Sequence, residues 1–327
     1  MAPEIGTPPQ GVRPKRVTVV EVGPRDGLQN QSAVLSVDAK VGFIASLIRA
    51  GLQRVEVAAF VHPAKVPQMA DAEAVWAGLS AGDKGGARLS ALVPNRKGFA
   101  RAVDCGVRDI AVVASATETF NQRNLDATTE TTLREIEGII AEADGSGIPV
   151  RAYLSVAFVC PYEGRVRAEH AALGARRLLD SGAREIALSD TIGAAGPDDV
   201  SRVLDATLRF ASPEQIALHF HDTRGTALAN VLAALAYGIC TFDSSAGGLG
   251  GCPFAPGALG NVATEDLIYM LDQMGIETGV FLPGVIAASR QIESLLGGTL
   301  PSRVLRAGGA PALRMSPGPS EAGVDGS

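Results

Sequence analysis

Aromatic side chains are scarce in this chain: ten phenylalanines, four tyrosines and one tryptophan among 327 residues. Alanine, valine, leucine and glycine must therefore fill most of the core, within an apolar fraction of 46% that is ordinary for a globular protein. Cysteine is scarcer still. Cys105, Cys160, Cys240 and Cys252 stand far apart, with neither zinc-knuckle nor C-x-x-C spacing, so any cysteine chemistry belongs to a single thiol rather than to a disulfide framework. The formal net charge is −6 and no block of like charges occurs, which argues against nucleic acid or an anionic membrane as the main partner. A local site for a small anion stays open. No apolar run approaches the roughly 20 residues that span a bilayer. The opening "MAPEIGTPPQGVRPKR" lacks the apolar core of a secretory signal. It reads as a disordered arm, residues 1–16, on a cytoplasmic protein. The Gly-, Pro- and Ser-rich end is expected to form a disordered tail over residues 304–327.

What is present is an alternation. Short β-branched or aliphatic runs occur at 17–22, 54–60, 88–93, 109–115, 150–158, 185–190, 216–221 and 241–246. Helical spacing fills the gaps between them. In 36–51, Val37, Val41, Ile44, Ala45 and Ile48 fall on one face and Gly51 ends the pattern; 198–211 reads the same way. Eight strand–helix repeats with continuously apolar strands predict a parallel sheet covered by helices, closed as a (β/α)₈ barrel. A doubly wound open sheet is the alternative, but no G-x-G-x-x-G follows the first strand.

A barrel places its site at the C-terminal strand ends. Arg25 and Asp26 end the first strand in "VEVGPRDGLQNQ", Glu56 lies in the second and Asp190 ends the sixth. His219 and His221 end the seventh, and Asp243 lies in the eighth. Residues i and i+2 of a strand point to one side, so both imidazoles can reach a single divalent cation, with a carboxylate from another strand. An isolated H-x-H serves equally well as two hydrogen-bonded core histidines, and a strand-end aspartate as a turn or helix cap. The concentration of two of the four histidines in one strand favours the metal reading. His170 falls in a predicted helix and reads as a surface residue. In "SSAGGLGGCPFAPGALGN" (244–261) a glycine-rich loop leads to Cys252, which reads either as a plain connector or as a lid with a thiol able to donate a proton.

Taken together, "VEVGPRDGLQN", "VPQM", "CPYEG", "DTIG", "H-x-HDT-x-G-x-ALAN", "GLGGCP" and "GN-x-ATED" resemble the 3-hydroxy-3-methylglutaryl-CoA lyase family of DRE-type metallolyase barrels, from about Val17 to Arg303. The resemblance implies one domain over 17–303, a barrel with added C-terminal helices, assembled as a homodimer. It implies Mg²⁺ or Mn²⁺ held by Asp26, His219 and His221, with Asn261 in or near the shell. The implied reaction is retro-aldol cleavage of an acyl-CoA thioester to acetyl-CoA and acetoacetate. Arg25 would stabilise the enolate, Asp26 take the hydroxyl proton, Cys252 protonate carbon, and Glu56 orient Arg25 or the metal shell. Asp190, Thr191 and Gly250 would join Arg25 in contacting substrate. Departures from the family pattern fall at Ala59, His62, Val156, Ala187, Ser189 and Arg224, and they bear on which acyl chain is accepted. Two alternatives remain: a condensing enzyme of the homocitrate or isopropylmalate synthase type, and a non-catalytic thioester-binding paralogue.

Overall fold

A computed structural model of the chain describes residues 13–80, 85–251 and 260–308. Eight parallel strands close into a barrel in the cyclic order β1, β2, β3, β4, β5, β8, β9, β10. They are β1 Thr18–Glu21, β2 Arg54–Ala59, β3 Arg88–Leu92, β4 Ile110–Ser115, β5 Val150–Ser155, β8 Glu185–Asp190, β9 Ile216–Phe220 and β10 Thr241–Ser244. Each falls inside one of the eight runs expected from the sequence. Two-residue strands β6 (Val159–Cys160) and β7 (Gly164–Arg165) form an antiparallel hairpin outside the barrel. The open-sheet alternative is excluded because β1 pairs with both β10 and β2.

The expected strand over 150–158 stops three residues early. Val156 adopts φ of +49°, a left-handed conformation that a β-branched residue rarely takes, and its N–H is held at 2.9 Å by the Thr191 hydroxyl. The chain therefore turns out of the sheet into the hairpin.

Helices cover the barrel: α1 Val37–Arg49, α2 Ala72–Ser80, α3 Arg96–Asp104, α4 Glu118–Leu125, α5 Thr129–Gly145, α6 Ala168–Asp180, α7 Pro197–Thr207, α8 Ala227–Leu235 and α9 Thr264–Gln273. Several starts are capped by side chains, such as Ser36 accepting from Ala39 N (3.3 Å) and Asn95 from Gly98 N (2.9 Å). The buried stripe of α1 is Phe43, Ile44, Leu47 and Ile48, while Val37, Val41 and Ala45 are only half-buried, so the stripe is rotated from the one the apolar spacing suggested. α10 (Leu282–Leu296) lies beside α1, with Phe281 N donating to Ala50 O at 2.7 Å. α11 (Arg303–Ala307) runs across the boundary drawn at residue 303 and is anchored by Asp266, whose carboxylate accepts from Ser302 Oγ, Arg303 N and Val304 N. The expected arm is described only from Arg13, and its backbone at Arg16 forms an isolated parallel β-bridge with Glu277; most of the expected tail lies outside the described residues. Among the described residues no helix is long and apolar enough to cross a membrane.

The barrel interior is more charged than the branched aliphatic layers usual for this architecture. Arg54 on β2 donates to both oxygens of Glu185 on β8 at 2.9 and 2.8 Å. Arg151 on β5 reaches Glu185 at 2.6 Å and grips Asp243 on β10 at 3.0 and 2.6 Å. β5 and β8 are neighbours, with Arg151 and Glu185 in register, but β2 and β8, and β5 and β10, are not, so the Arg54–Glu185 and Arg151–Asp243 bonds cross the lumen. Every charge in this ladder has an opposite partner, as burial of ions requires.

Candidate active site

Past β1, Val22 accepts from three successive backbone amides, Arg25 N (3.1 Å), Asp26 N (2.7 Å) and Gly27 N (3.2 Å), which winds Gly23–Gly27 into a single π-helical turn. Such turns recur at functional sites because they re-aim side chains within a few residues. Here the turn presents Arg25 and Asp26 to the barrel mouth. Gly27 is needed for contact: a Cβ there would lie 2.8 Å from Leu249 Cβ and from Ser245 Oγ.

Arg25 is 5% exposed and held on two sides, by Glu56 of β2 through Nε and by Asp26 through a terminal nitrogen. Glu56 accepts a further bond from Tyr153 Oη at 3.2 Å, and Tyr153 in turn accepts from Arg151 at 2.9 Å. Asp26 Oδ2 accepts from Asn261 Nδ2 at 2.9 Å and lies 4.0 Å from His219 Nε2. His219 Nδ1 faces Asp243 Oδ2 at 3.0 Å; an ionised carboxylate only accepts, so the proton sits on Nδ1 and Nε2 is left with its lone pair toward the mouth. His221 stands beside it, with ring centroids 5.2 Å apart.

Burial alone would raise the Asp26 carboxyl, but Arg25, His219, His221 and the Asn261 amide override it and hold the group down at about 2. Burial also opposes the Arg25 cation, yet Glu56 and Asp26 more than offset this and keep it firmly protonated. His221 is pushed down to about 4, first by burial and then by His219. Asp243 lies well below the usual carboxylate range, because Arg151 and His219 outweigh its burial.

Asp26, His219 and His221 each offer a ligand atom, all within 4.8 Å of one another. His221 Nδ1 and Asn261 Oδ1 are buried without a hydrogen-bond partner, a costly state in a protein interior unless a ligand completes them. One carboxylate, two neutral imidazoles and an amide oxygen fit a divalent cation that keeps positions open for oxygen ligands. The site opens into a cavity of about 1010 Å³.

The residues expected from sequence divide on inspection. Arg25, Asp26, His219, His221 and Asn261 converge, with Glu56 behind Arg25. Asp190 does not face the mouth: it is fully buried and its two oxygens accept from Ala194 N (3.0 Å) and Ala195 N (2.9 Å), closing the turn after β8. Its expected substrate contact is corrected accordingly. Thr191 lines the cavity, although its hydroxyl also accepts from Val156 N. Gly250, at φ +141°, supports Asn261, since a Cβ there would meet Asn261 Nδ2 at 2.8 Å. Cys252 lies outside the described residues. Among the departures, His62 and Ser189 line the cavity, Ala59, Val156 and Ala187 are buried, and Arg224 donates to the carbonyls of Ile192 and Gly193 at 2.9 Å. Arg151 and Tyr153 went unremarked in the sequence. Their i, i+2 spacing in "VRAYLS" was the available signal, because it puts both on the inner face of one strand.

Residues 16–292 match the HMGL-like family model. A hydroxymethylglutaryl-CoA lyase of Bacillus subtilis is 46% identical over 293 residues, covering 90% of this chain and 97% of that one. A 3-hydroxy-3-isohexenylglutaryl-CoA/hydroxymethylglutaryl-CoA lyase of Pseudomonas aeruginosa is 42% identical over 294 residues, 90% of this chain and 97% of its own. Among solved structures, an HMG-CoA lyase of Acinetobacter baumannii in complex with coenzyme A and 3-methylmalate superposes with a TM-score of 0.87 at 37% identity, covering 93% of this chain and 98% of that one. With the barrel, the carboxylate–histidine cluster and these matches in agreement, the chain belongs to the HMGL-like family.

Proposed function

We propose that this protein cleaves 3-hydroxy-3-methylglutaryl-CoA to acetyl-CoA and acetoacetate with Mg²⁺ or Mn²⁺ bound by Asp26, His219 and His221 and with Asn261 at the edge of the shell. The observation that carries this reading is the convergence of those ligand atoms beside an immobilised Arg25 at the floor of one large cavity. A bound divalent cation supplies Lewis acidity that lowers the hydroxyl pKa and orients the substrate's oxygens. Asp26, kept ionised by its neighbours, takes the proton of the tertiary hydroxyl. The O–H electron pair becomes the new carbonyl, the C2–C3 bond breaks, and its electrons pass into the thioester as an enolate. Glu56 and Asp26 fix two of the three Arg25 nitrogens, leaving the third for the enolate oxygen. Family resemblance gives Cys252 the final step, protonation of the enolate carbon. The CoA-bound structural neighbour supports a thioester ligand, and the resemblance also carries a homodimer, which sedimentation decides.

A second reading concerns the 3-substituent. The cavity lining includes the apolar residues Val61, Leu92, Val113, Phe120 and Leu125, and the Pseudomonas aeruginosa relative is named for an isohexenyl substrate as well. A longer alkyl group at C3 suits such a lining.

The test is the metal-loaded protein with 3-hydroxy-3-methylglutaryl-CoA, read by mass spectrometry, beside a chelator-treated control. Metal-dependent acetyl-CoA and acetoacetate support the main reading. Absence of both products from protein that binds the metal sinks it. A panel of 3-alkyl homologues decides the second reading.

A further inference from the structure

Two buried carboxyls take no part in the reaction described above. Glu21, the last residue of β1, and Glu265, in the first turn of α9, are both fully buried. Glu265 accepts with both oxygens from one amide, Gly247 N, at 3.0 and 2.9 Å. Glu21 does something different. Its Oε1 accepts at once from Gly23 N (2.8 Å), the first residue of the π-helical turn, and from Ala246 N (2.9 Å), the first residue of the turn that follows β10. Its Oε2 is 2.7 Å from Thr264 Oγ1, which is itself 2.8 Å from Ser244 Oγ.

The two turns joined on that oxygen are the ones that build the metal cluster. One presents Arg25 and Asp26; the other ends at Leu249, whose carbonyl accepts from Asn261 Nδ2 at 3.1 Å while the same amide nitrogen holds Asp26 Oδ2. The turns are therefore stitched twice, by Asn261 at the mouth and by Glu21 beneath it. Close packing of Gly27 on Leu249 and Ser245 leaves no slack between the stitches.

We infer that Glu21 is a positioning residue for the metal cluster: by accepting Gly23 N and Ala246 N on one oxygen, it sets the π-helical turn that carries Asp26 and Arg25 against the turn that carries the Asn261 contact. The Glu265 carboxylate bonds the second turn but not the first and serves as the internal comparison. Glu21 is also held up at about 8, chiefly by burial, with Glu265 as the acidic neighbour, so near neutral pH it stands mostly as the uncharged acid. In that form one oxygen accepts both amides and the other donates to Thr264 Oγ1. A glutamine side chain reproduces this pattern.

The inference rests on Asp26 being a metal ligand, as proposed above, so the native chain is titrated first. Native protein stripped with a chelator and titrated with Mn²⁺ in a calorimeter must bind; no binding overturns the ligand reading and this inference with it. In Glu21→Asp, one methylene shorter and unable to reach both amides, Mn²⁺ affinity should fall about 10-fold or more and kcat by up to about 100-fold, as for other partners that orient metal ligands, with KM little changed. Glu21→Gln should restore both toward native values, and Glu265→Gln should lower the melting temperature without matching the loss of Mn²⁺ affinity. Native Mn²⁺ affinity in a folded Glu21→Asp overturns the inference. So does a Glu21→Gln no better than Glu21→Asp, or a Glu265→Gln that weakens Mn²⁺ binding equally. If Glu21→Asp does not fold, the decision falls to Glu21→Gln against Glu265→Gln on the same affinity scale.

Discussion

Asp26 and Asp190 make the same impression in the sequence, an aspartate just past an apolar strand, yet they stand in opposite surroundings. Asp26 leaves β1 on a π-helical turn and meets a guanidinium, two imidazoles and an amide, which hold it ionised at about 2. Asp190 ends β8 facing the chain's own backbone, with Ala194 N and Ala195 N as partners, and burial lifts it to about 6. One becomes a charge that a cation can use; the other becomes a fastening for a turn. A strand end places a residue near a barrel mouth, but the neighbours contributed by other strands decide which way it is used.

Replacing Asp26 is the strongest way to break the contrast. Asp26→Asn removes the anion while keeping the shape, so kcat should fall on the order of 10⁴-fold, the scale of deleting one member of a catalytic set. Mn²⁺ affinity by calorimetry should fall with it. Arg25→Met should cost on the order of 10²-fold or more in kcat, the scale of losing a donor to a developing oxyanion, while Mn²⁺ binding persists. An Arg25→Met enzyme with native turnover would end the enolate assignment. Asp243→Asn tests the support behind the cluster. The amide can present its NH₂ to His219 Nδ1 and thereby favour the wrong tautomer, so Mn²⁺ affinity should drop about 10- to 100-fold. Unchanged affinity would show that the Asp243 carboxylate is not what keeps His219 aligned.

The contrast also explains how much of the molecule the sequence disclosed. All eight barrel strands lie within runs rich in β-branched and aliphatic residues, because buried parallel strands stay largely apolar even where the lumen face carries paired charges. His219 and His221 were legible together because alternation in a strand is rigid enough to put i and i+2 on one side. Asp190 was misplaced because nothing local separates a carboxylate that faces a cavity from one that caps a turn. Arg151, Tyr153 and Glu185 were passed over because their meaning lies in bonds across the lumen, Arg151 to Asp243, Tyr153 to Glu56 and Arg54 to Glu185, between strands distant in the chain. The π-helical turn at Gly23–Gly27 left only its proline and glycines as a trace, and those same residues fit an ordinary loop. The one-sided stripe expected for α1 erred in a similar way: spacing located the helix, but packing against α10 and the barrel chose its buried face.

The smallest effect is expected at Asp190, where it also has a pH signature. Asp190→Asn exchanges one accepting oxygen for an NH₂ and leaves one of the two buried amides, Ala194 N or Ala195 N, without an acceptor, at a cost of about 1–3 kcal/mol. Mn²⁺ affinity should stay at the native value, since the carboxylate faces away from the cluster. Burial raises this carboxyl from an ordinary 3.8 to about 6, so the native chain holds the proton where the unfolded chain has already released it. The resulting stability is fully present below the unfolded pKa and is lost as the pH climbs to about 6. An asparagine has no such dependence. Thermal melts of the two proteins should therefore differ most near pH 4 and converge partway by pH 6, beyond which the gap should hold constant at the value set by the lost hydrogen bond. A gap that widens across this interval would mean that Asp190 is stabilised as an anion, and that it resembles Asp26 after all.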